Sequence, residues 1–563
     1  MSFTLKKYII FLFTIILLTI LVLLDPRSSI IASPGGHTKA AIGVALSYLI
    51  YGIDGFVGLN EIGLLLDETP TISDYQSRNY ALLGGFILDF NNISEVREYL
   101  SLISDKIIEA KNLVISNKDS VYAYQNDIGY VFYIILSFIL FGVGLKSISI
   151  LFLTIIILSS IAFIISFHKN NLYFFLLQTI LFALIIAIIG NYGGSVQIAA
   201  TINMRFIPIL CIIPMFHLSI IFLEKNIFTL RNVLTTSLQL FFLIFLCSVR
   251  GTAMTGFIFL ILFYSIWILK IGIKNFPEYK SNIFSMISAI LLFLMIFNIG
   301  QLTVKKNLAE KYNDKNATTR HLFWSSLFSG IAISPKIHEK YVCSDIKFED
   351  VILFNDIPCG VYPLQFPEKS EFYKTLFYLQ AKDSTSFHAA LKYLHDNNLN
   401  EKLGLVDNST NCCKEHPWNL NVERYEEILK KLYFRILLND PLEFLYMHLV
   451  IKPLKFLYEF IKYAFYFLNG FKINFIFTFL IFIGALAIQL FSIISIKIEK
   501  ELTEIKSYKQ NYLIETIFFI MLLAGSIPSI VFYPAAESGI FYCAVALITL
   551  VIFYIKKLST NHQ

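Results

Sequence analysis

Charge is what this sequence has least of. Asp, Glu, Lys and Arg make up 15% of its 563 residues, against about 25% in soluble domains. That scarcity excludes an ordinary soluble fold. The net charge of +6 does not mark a nucleic-acid partner either, because Lys and Arg fall in short breaks between apolar runs, as the positive-inside bias produces. Metal-ligand spacing is also missing. Of the seven cysteines, Cys211, Cys247 and Cys543 lie in apolar runs and read as inert. Cys343, Cys359, Cys412 and Cys413 lie in a polar stretch, and the vicinal pair is not CxxC, so zinc and thioredoxin-like chemistry fit poorly. A Cys343–Cys359 or Cys343–Cys412 disulfide and free thiols both stay open. There is no internal symmetry of the kind transporters carry, and no Arg-rich repeat in paired loops.

What is present is hydrocarbon. The chain is 56% hydrophobic and 16% aromatic, and many runs reach the ~20 residues that cross a bilayer. The pattern predicts an all-α polytopic membrane protein with about 10–12 transmembrane helices, interfacial helices and a small mixed or mostly α outer domain. Three regions follow: a transmembrane module over 1–300 with a long first outer loop (25–126), an outer-face loop domain over 301–445, and an interfacial helix with the last spans over 446–563.

The first apolar run, Tyr8 to Leu24, follows Lys6-Lys7 and reads as an uncleaved span with a cytoplasmic start. Further runs lie near 129–145, 148–167, 171–190, 203–223, 232–248, 253–271 and 282–300. If all seven crossed, Lys270 to Lys280 would face outward, against the charge bias. One run within 148–223 is therefore expected not to cross, as a broken or re-entrant helix. Helix 442–466 carries Lys452, Lys455 and Lys462 and reads as interfacial. The runs 473–493, 512–532 and 538–555 complete the spans.

Polar groups at span edges are the candidate site. Asp127 stands directly before the run that starts at residue 129, where a charge is costly unless it has a partner or a task. Asp74 and Asp54 are further acids of the first loop. Arg205 and Arg250 sit in polar corners, and a planar guanidinium suits phosphate; the alternative is a helix-end Arg snorkelling to headgroups. Arg320, His321 and Trp324 open the polar segment, with Asp345 beyond them, and Glu537 lies between the last two spans. Together they suit chemistry on a lipid-linked phosphate, with a carboxylate as general base and cationic groups stabilising the departing phosphate.

The layout resembles the GT-C family of integral membrane glycosyltransferases. The resemblance covers the whole chain as architecture. It is carried locally by Asp127-Ile-Gly-Tyr130, Arg250-Gly-Thr252, the stretch from Arg320-His-Leu-Phe-Trp324 to Gly330, and Tyr425 through Asp440-Pro441. A second His after Trp324 would complete the pattern, and Ser325 stands there instead. The resemblance implies transfer of a sugar from a polyprenyl-phosphate donor to a lipid, glycan or protein acceptor at the periplasmic face of a bacterial inner membrane. Inversion at the sugar carbon is the usual outcome. Asp127, Asp74 and Asp54 are then the base candidates. Arg205, Arg250, Arg320, His321, Trp324, Asp345 and Glu537 are substrate-binding candidates, and a divalent cation is a possible cofactor. An O-antigen polymerase or ligase, or a non-enzymatic transporter or flippase, remains the alternative.

Overall fold

The computed structural model describes residues 3–25, 128–168, 170–192, 200–221, 229–250, 253–312, 436–454, 475–495 and 537–561, with scattered positions between them. Nearly all of it is helical. Six helices are long and apolar enough to cross a membrane, and the chain is an all-α polytopic membrane protein.

Helix α1 (Phe3–Leu23) is followed, after the first loop, by α2 (Ile128–Phe141), α3 (Leu145–Phe167) and α4 (Asn171–Tyr192). A 3-10 helix (Ile207–Cys211) leads into α5 (Ile212–Ile221), then α6 (Leu230–Val249) and α7 (Met254–Tyr312). Late in the chain come α8 (Pro441–Tyr446) with a π-helical turn (Met447–Ile451), α9 (Phe475–Ser495) and α10 (Glu537–Asn561). The only described β structure is a two-residue antiparallel pair, Asp89–Phe90 against Val143–Gly144.

With lipid on the outside, side-chain hydrogen bonds between helices replace part of the hydrophobic drive, and here they fix the directions of the helices. Ser166 and Thr235 hydroxyls meet at 2.7 Å. The Ser159 hydroxyl donates to Gln239 Oε1 at 2.6 Å, and Gln239 Nε2 donates to the Ser159 carbonyl at 2.7 Å. Increasing numbers on α3 thus match decreasing numbers on α6, so the two are antiparallel. Ten residues on from Gln239 and ten back from Ser159, about 15 Å each way, Val249 and Ser149 come level. Ser149 shares a 2.7 Å hydrogen bond with Thr201, and Tyr130 donates to the Ile202 carbonyl. We call this level the arginine end, since Arg205 and Arg250 belong to it. At the other level, Lys7 donates to the His168 carbonyl at 3.4 Å; this is the lysine end.

One expectation is corrected. The run from residue 129 does not cross. Gly129 sits against Ser248 and Val249, level with the start of α3, to which the other end of α2 is joined. A 14-residue helix, about 21 Å long, that begins and ends near one level lies across the end of the bundle. Gly142, at φ 88°, stops it with the left-handed turn that glycine adopts without steric cost. The run over 203–223 is broken, as expected of one segment within 148–223: turns and a 3-10 helix precede α5, and Ile207–Ile221 is shorter than the six candidate spans. From Thr201 beside Ser149, the chain reaches His217 against Phe163 and Phe167, at ring distances of 5.9 and 5.2 Å, and so travels the length of α3. Both α2 and Ile207–Ile221 thus fall short of the six helices long and apolar enough to cross.

Of the runs expected near 253–271 and 282–300, Ile283–Gly300 is long and apolar enough to cross and Phe257–Leu269 is a shorter apolar stretch, with helical hydrogen bonding continuing through Met254–Tyr312. Phe257 and Phe293 rings stack at 4.0 Å. In a straight helix 36 residues would separate them by about 54 Å, so α7 doubles back midway, around residue 275. Tyr264 donates to the Leu218 carbonyl, which sets the fold of α7 at the lysine end and returns residue 293 to the arginine end.

Helix α1 runs parallel to α4, through Lys7 over the Phe174 ring at 5.9 Å and Thr14 bonded to Gln178. Helix α9 runs opposite to both: Gln489 Nε2 donates to Thr179 Oγ1 at 3.0 Å, and Gly484 faces Leu17. Helix α10 enters at the arginine end, where Tyr542 donates to the Pro208 carbonyl at 3.0 Å. Of the expected span over 512–532, only Ile520 is described, and it is buried.

Candidate functional site

The arginine end collects polar elements from four distant parts of the sequence. Segment 200–206 enters as turns around Asn203. Its side-chain Oδ1 accepts from the Arg205 N–H at 2.9 Å, and its carbonyl accepts from the Phe206 N–H at 2.8 Å. This Asx turn competes with helix for the backbone and delays it until Pro208, which suits the first helical turn. Phe206 packs on Phe152 at 6.2 Å, holding the corner against α3. Thr201 and Asn203 are buried, whereas Arg205 is only half-buried.

Arg250 caps α6. Its backbone is extended, its N–H reaches the Leu246 carbonyl at 3.4 Å, and its own carbonyl accepts from Ala253 at 3.0 Å. A cation there also complements the partial negative charge of the helix C-terminus. Arg250 is half-buried as well.

Helix α2 is pressed onto that same terminus. A Cβ on Gly129 would stand 1.9 Å from the Ser248 carbonyl oxygen and 2.7 Å from the Val249 nitrogen, so only glycine permits the approach. Tyr130 and Tyr133 stack at 6.3 Å, and Tyr133 stacks on Phe245 at 6.0 Å. The motifs Asp127-Ile-Gly-Tyr130 and Arg250-Gly-Thr252, about 120 positions apart, thus belong to one backbone contact. The last helix begins at Glu537, five residues before Tyr542 and so at this end too.

Asp25 was passed over in reading the sequence. It follows α1 at the arginine end and is 4% exposed. A carboxylate directly after a 21-residue apolar helix was the available signal, the same one that singled out Asp127.

Asp54, Asp74, Asp127, Arg320, His321 and Asp345 lie outside the described residues, as do Cys343, Cys359, Cys412 and Cys413. Trp324 is described, half-buried among aromatics: Tyr433 at 5.8 Å and Phe434 at 5.5 Å, with the Lys430 ammonium 5.5 Å over its ring. The chain of contacts continues through Phe444, 5.2 Å from Tyr433, to His448 at 4.5 Å. It ends at Lys452, whose Nζ lies 3.3 Å from His448 Nδ1. Trp324 is thus tied to the segment around 430–452. Helix 441–454 also presents Leu442, Leu445, Tyr446, Leu449 and Leu454 outward, an apolar face that fits an interfacial helix.

Burial pushes the Lys452 amine down to about 7. The charged form is disfavoured in the folded state, so the unfolded chain binds the extra proton, and stability rises with pH between about 7 and the ordinary lysine value of 10.5. Hydrogen exchange over 441–454 should therefore slow as pH is raised across that window, after correction for intrinsic exchange. Lys452→Met should remove the dependence; an unchanged profile in the variant would assign it to another group.

Among the described residues, no three His, Cys, Asp or Glu side chains come together as metal ligands, and no step is derived through a divalent cation. Cys211, Cys247 and Cys543 are buried, and the Cys247 thiol donates to the Ala253 carbonyl at 3.4 Å.

The class these observations define is an all-α, many-span membrane protein with a polar, arginine-bearing end. Comparison with family models, with curated proteins and with solved structures gave no match.

Proposed function

We propose that the chain is a membrane glycosyltransferase that moves a sugar from a polyprenyl-phosphate donor to an acceptor at the arginine end. The observation that carries this reading is the seating of Gly129 on Ser248 and Val249. Asp127 precedes Gly129 by two positions and Arg250 follows Ser248 by two. One acid and one guanidinium are the minimum set for the reaction: the acid removes the acceptor's hydroxyl proton, and the guanidinium holds the phosphate as negative charge develops on it. Arg205, from the neighbouring corner, is a second phosphate ligand. Glu537, at the start of α10, and Asp25, at the end of α1, border the same end and serve acceptor binding. Both arginines are partly buried, with Arg250 Nη1 itself buried, so a lipid phosphate there would offset part of the cost of a charge at this depth.

The test is transfer of labelled sugar from a synthetic polyprenyl-phosphate donor by the purified protein in detergent or liposomes. Arg250→Gln should raise the donor KM about 10–100-fold, the cost of losing one charge-assisted contact of about 1.5–3 kcal/mol, with a smaller change in acceptor KM. A variant that keeps the wild-type donor KM would remove Arg250 from the site. No transfer from any polyprenyl-phosphate sugar, by wild-type protein that is folded, would sink the reading.

A further inference from the structure

Away from the arginine end, α1, α4 and α9 pack pairwise on one another, and adjacent residues of α4 tie polar side chains of the other two. Gln178 on α4 donates its amide to Thr14 of α1. Thr179, the next residue, accepts from Gln489 of α9 at 3.0 Å. Gly484 of α9 faces Leu17 of α1, whose side chain a Cβ added at that glycine would meet at 3.3 Å, which closes the triangle. Ser492 lies three residues beyond Gln489, on the same face. Thr14, Gln178, Thr179, Gln489 and Ser492 are all 2% exposed or less.

The hydrogen bonds leave oxygen atoms over. The Thr14 and Thr179 hydroxyls donate to the Ile10 and Phe175 carbonyls one turn back. Each therefore receives a glutamine NH2 group, which fixes the amide orientation. The Gln178 Oε1, Gln489 Oε1 and Ser492 Oγ atoms are buried without a hydrogen-bond partner among the described residues. In an apolar bundle an unmet acceptor is costly, and these three stand on two helices joined at this level by the Gln489–Thr179 hydrogen bond, which makes an occupant between them favourable.

We propose that this junction is a binding site for a small monovalent metal cation of the Na+ class, held by the neutral oxygens of Thr14, Gln178, Thr179, Gln489 and Ser492. Hard oxygen donors suit a hard cation, and rings of uncharged oxygen can replace a monovalent ion's hydration shell inside a membrane protein. With no carboxylate in the set, a divalent ion would not recover its greater dehydration cost. The site is remote from the arginine end and does not depend on the sugar-transfer reading. Its role is to lock α1 against α4 and α9.

The experiment is thermal unfolding of the purified full chain in detergent, with NaCl, KCl or choline chloride at equal ionic strength. An ion that binds only the folded state stabilises by mass action. The midpoint should rise by about 2 °C or more in Na+ relative to choline, with a smaller rise in K+. In Gln489→Leu and Thr179→Val the difference between salts should vanish. Equal midpoints in all three salts for the wild type would overturn the proposal and leave water as the occupant. So would a Na+ effect that persists undiminished in both variants. Should neither variant fold, 22Na+ retention by the wild type on gel filtration decides, and no retention above a choline-washed control counts against the site.

Discussion

Asp127→Asn should lower turnover at saturating donor and acceptor by about 10²–10⁴-fold, the range that general bases contribute. The amide is isosteric but cannot take a proton, so binding constants should move far less than kcat. The comparison that isolates this role is Asp127→Glu, which keeps the base and shifts it by one methylene; it should retain more activity than the amide. Asp25 supplies the control. It is a buried acid at the same end, and Asp25→Asn should alter acceptor KM more than kcat. Wild-type turnover in Asp127→Asn would withdraw Asp127 from the chemistry, and a kcat collapse confined to Asp25→Asn would transfer the role to that residue.

Gly129→Ala should be nearly as damaging, for a different reason. The added methyl would stand 1.9 Å from the Ser248 carbonyl oxygen, and backbone cannot rotate aside as a side chain does. Either α2 lifts from α6 or α6 loses its last turn. Overpacking of this kind costs about 1–3 kcal/mol, read as a lower unfolding midpoint in detergent. Transfer activity should fall with it, because the proposed site rests on the seating of Gly129 against the end of α6. Ser248→Gly should not rescue the variant, since the obstruction is main-chain; rescue would show that the Ser248 side chain, not the contact of backbones, sets the spacing.

Much of the fold is written in local chemistry. The apolar runs of α1, α3, α4, α6, α7 and α9 are long enough to declare themselves, and the bias of Lys and Arg toward short breaks places the reversal of α7 where it occurs. The character of α2 was not legible in the same way. Its residues are as apolar as any span, and what sets it across the bundle end is the contact of Gly129 with a helix terminus about 120 positions away. Hydropathy contains no term for such a contact. The corner at 200–206 was readable as polar, but not that Asn203 winds it or that Tyr130 reaches it. Arg205 and Arg250 were found because a charge beside a span is conspicuous. Asp25 was missed because it stands where a span would be expected to end anyway.

The triangle of α1, α4 and α9 has a bearing on biogenesis. Among the described helices, α1 is synthesised long before α9, which packs on it: the contact residue Gly484 follows Leu17 by more than 460 positions. For most of translation Leu17 faces lipid or a chaperoning translocon component in place of Gly484. A chain released before residue 475 would keep its arginine corners but carry an open flank along α1 and α4, a lesion that membrane quality-control proteases would read as an orphaned helix.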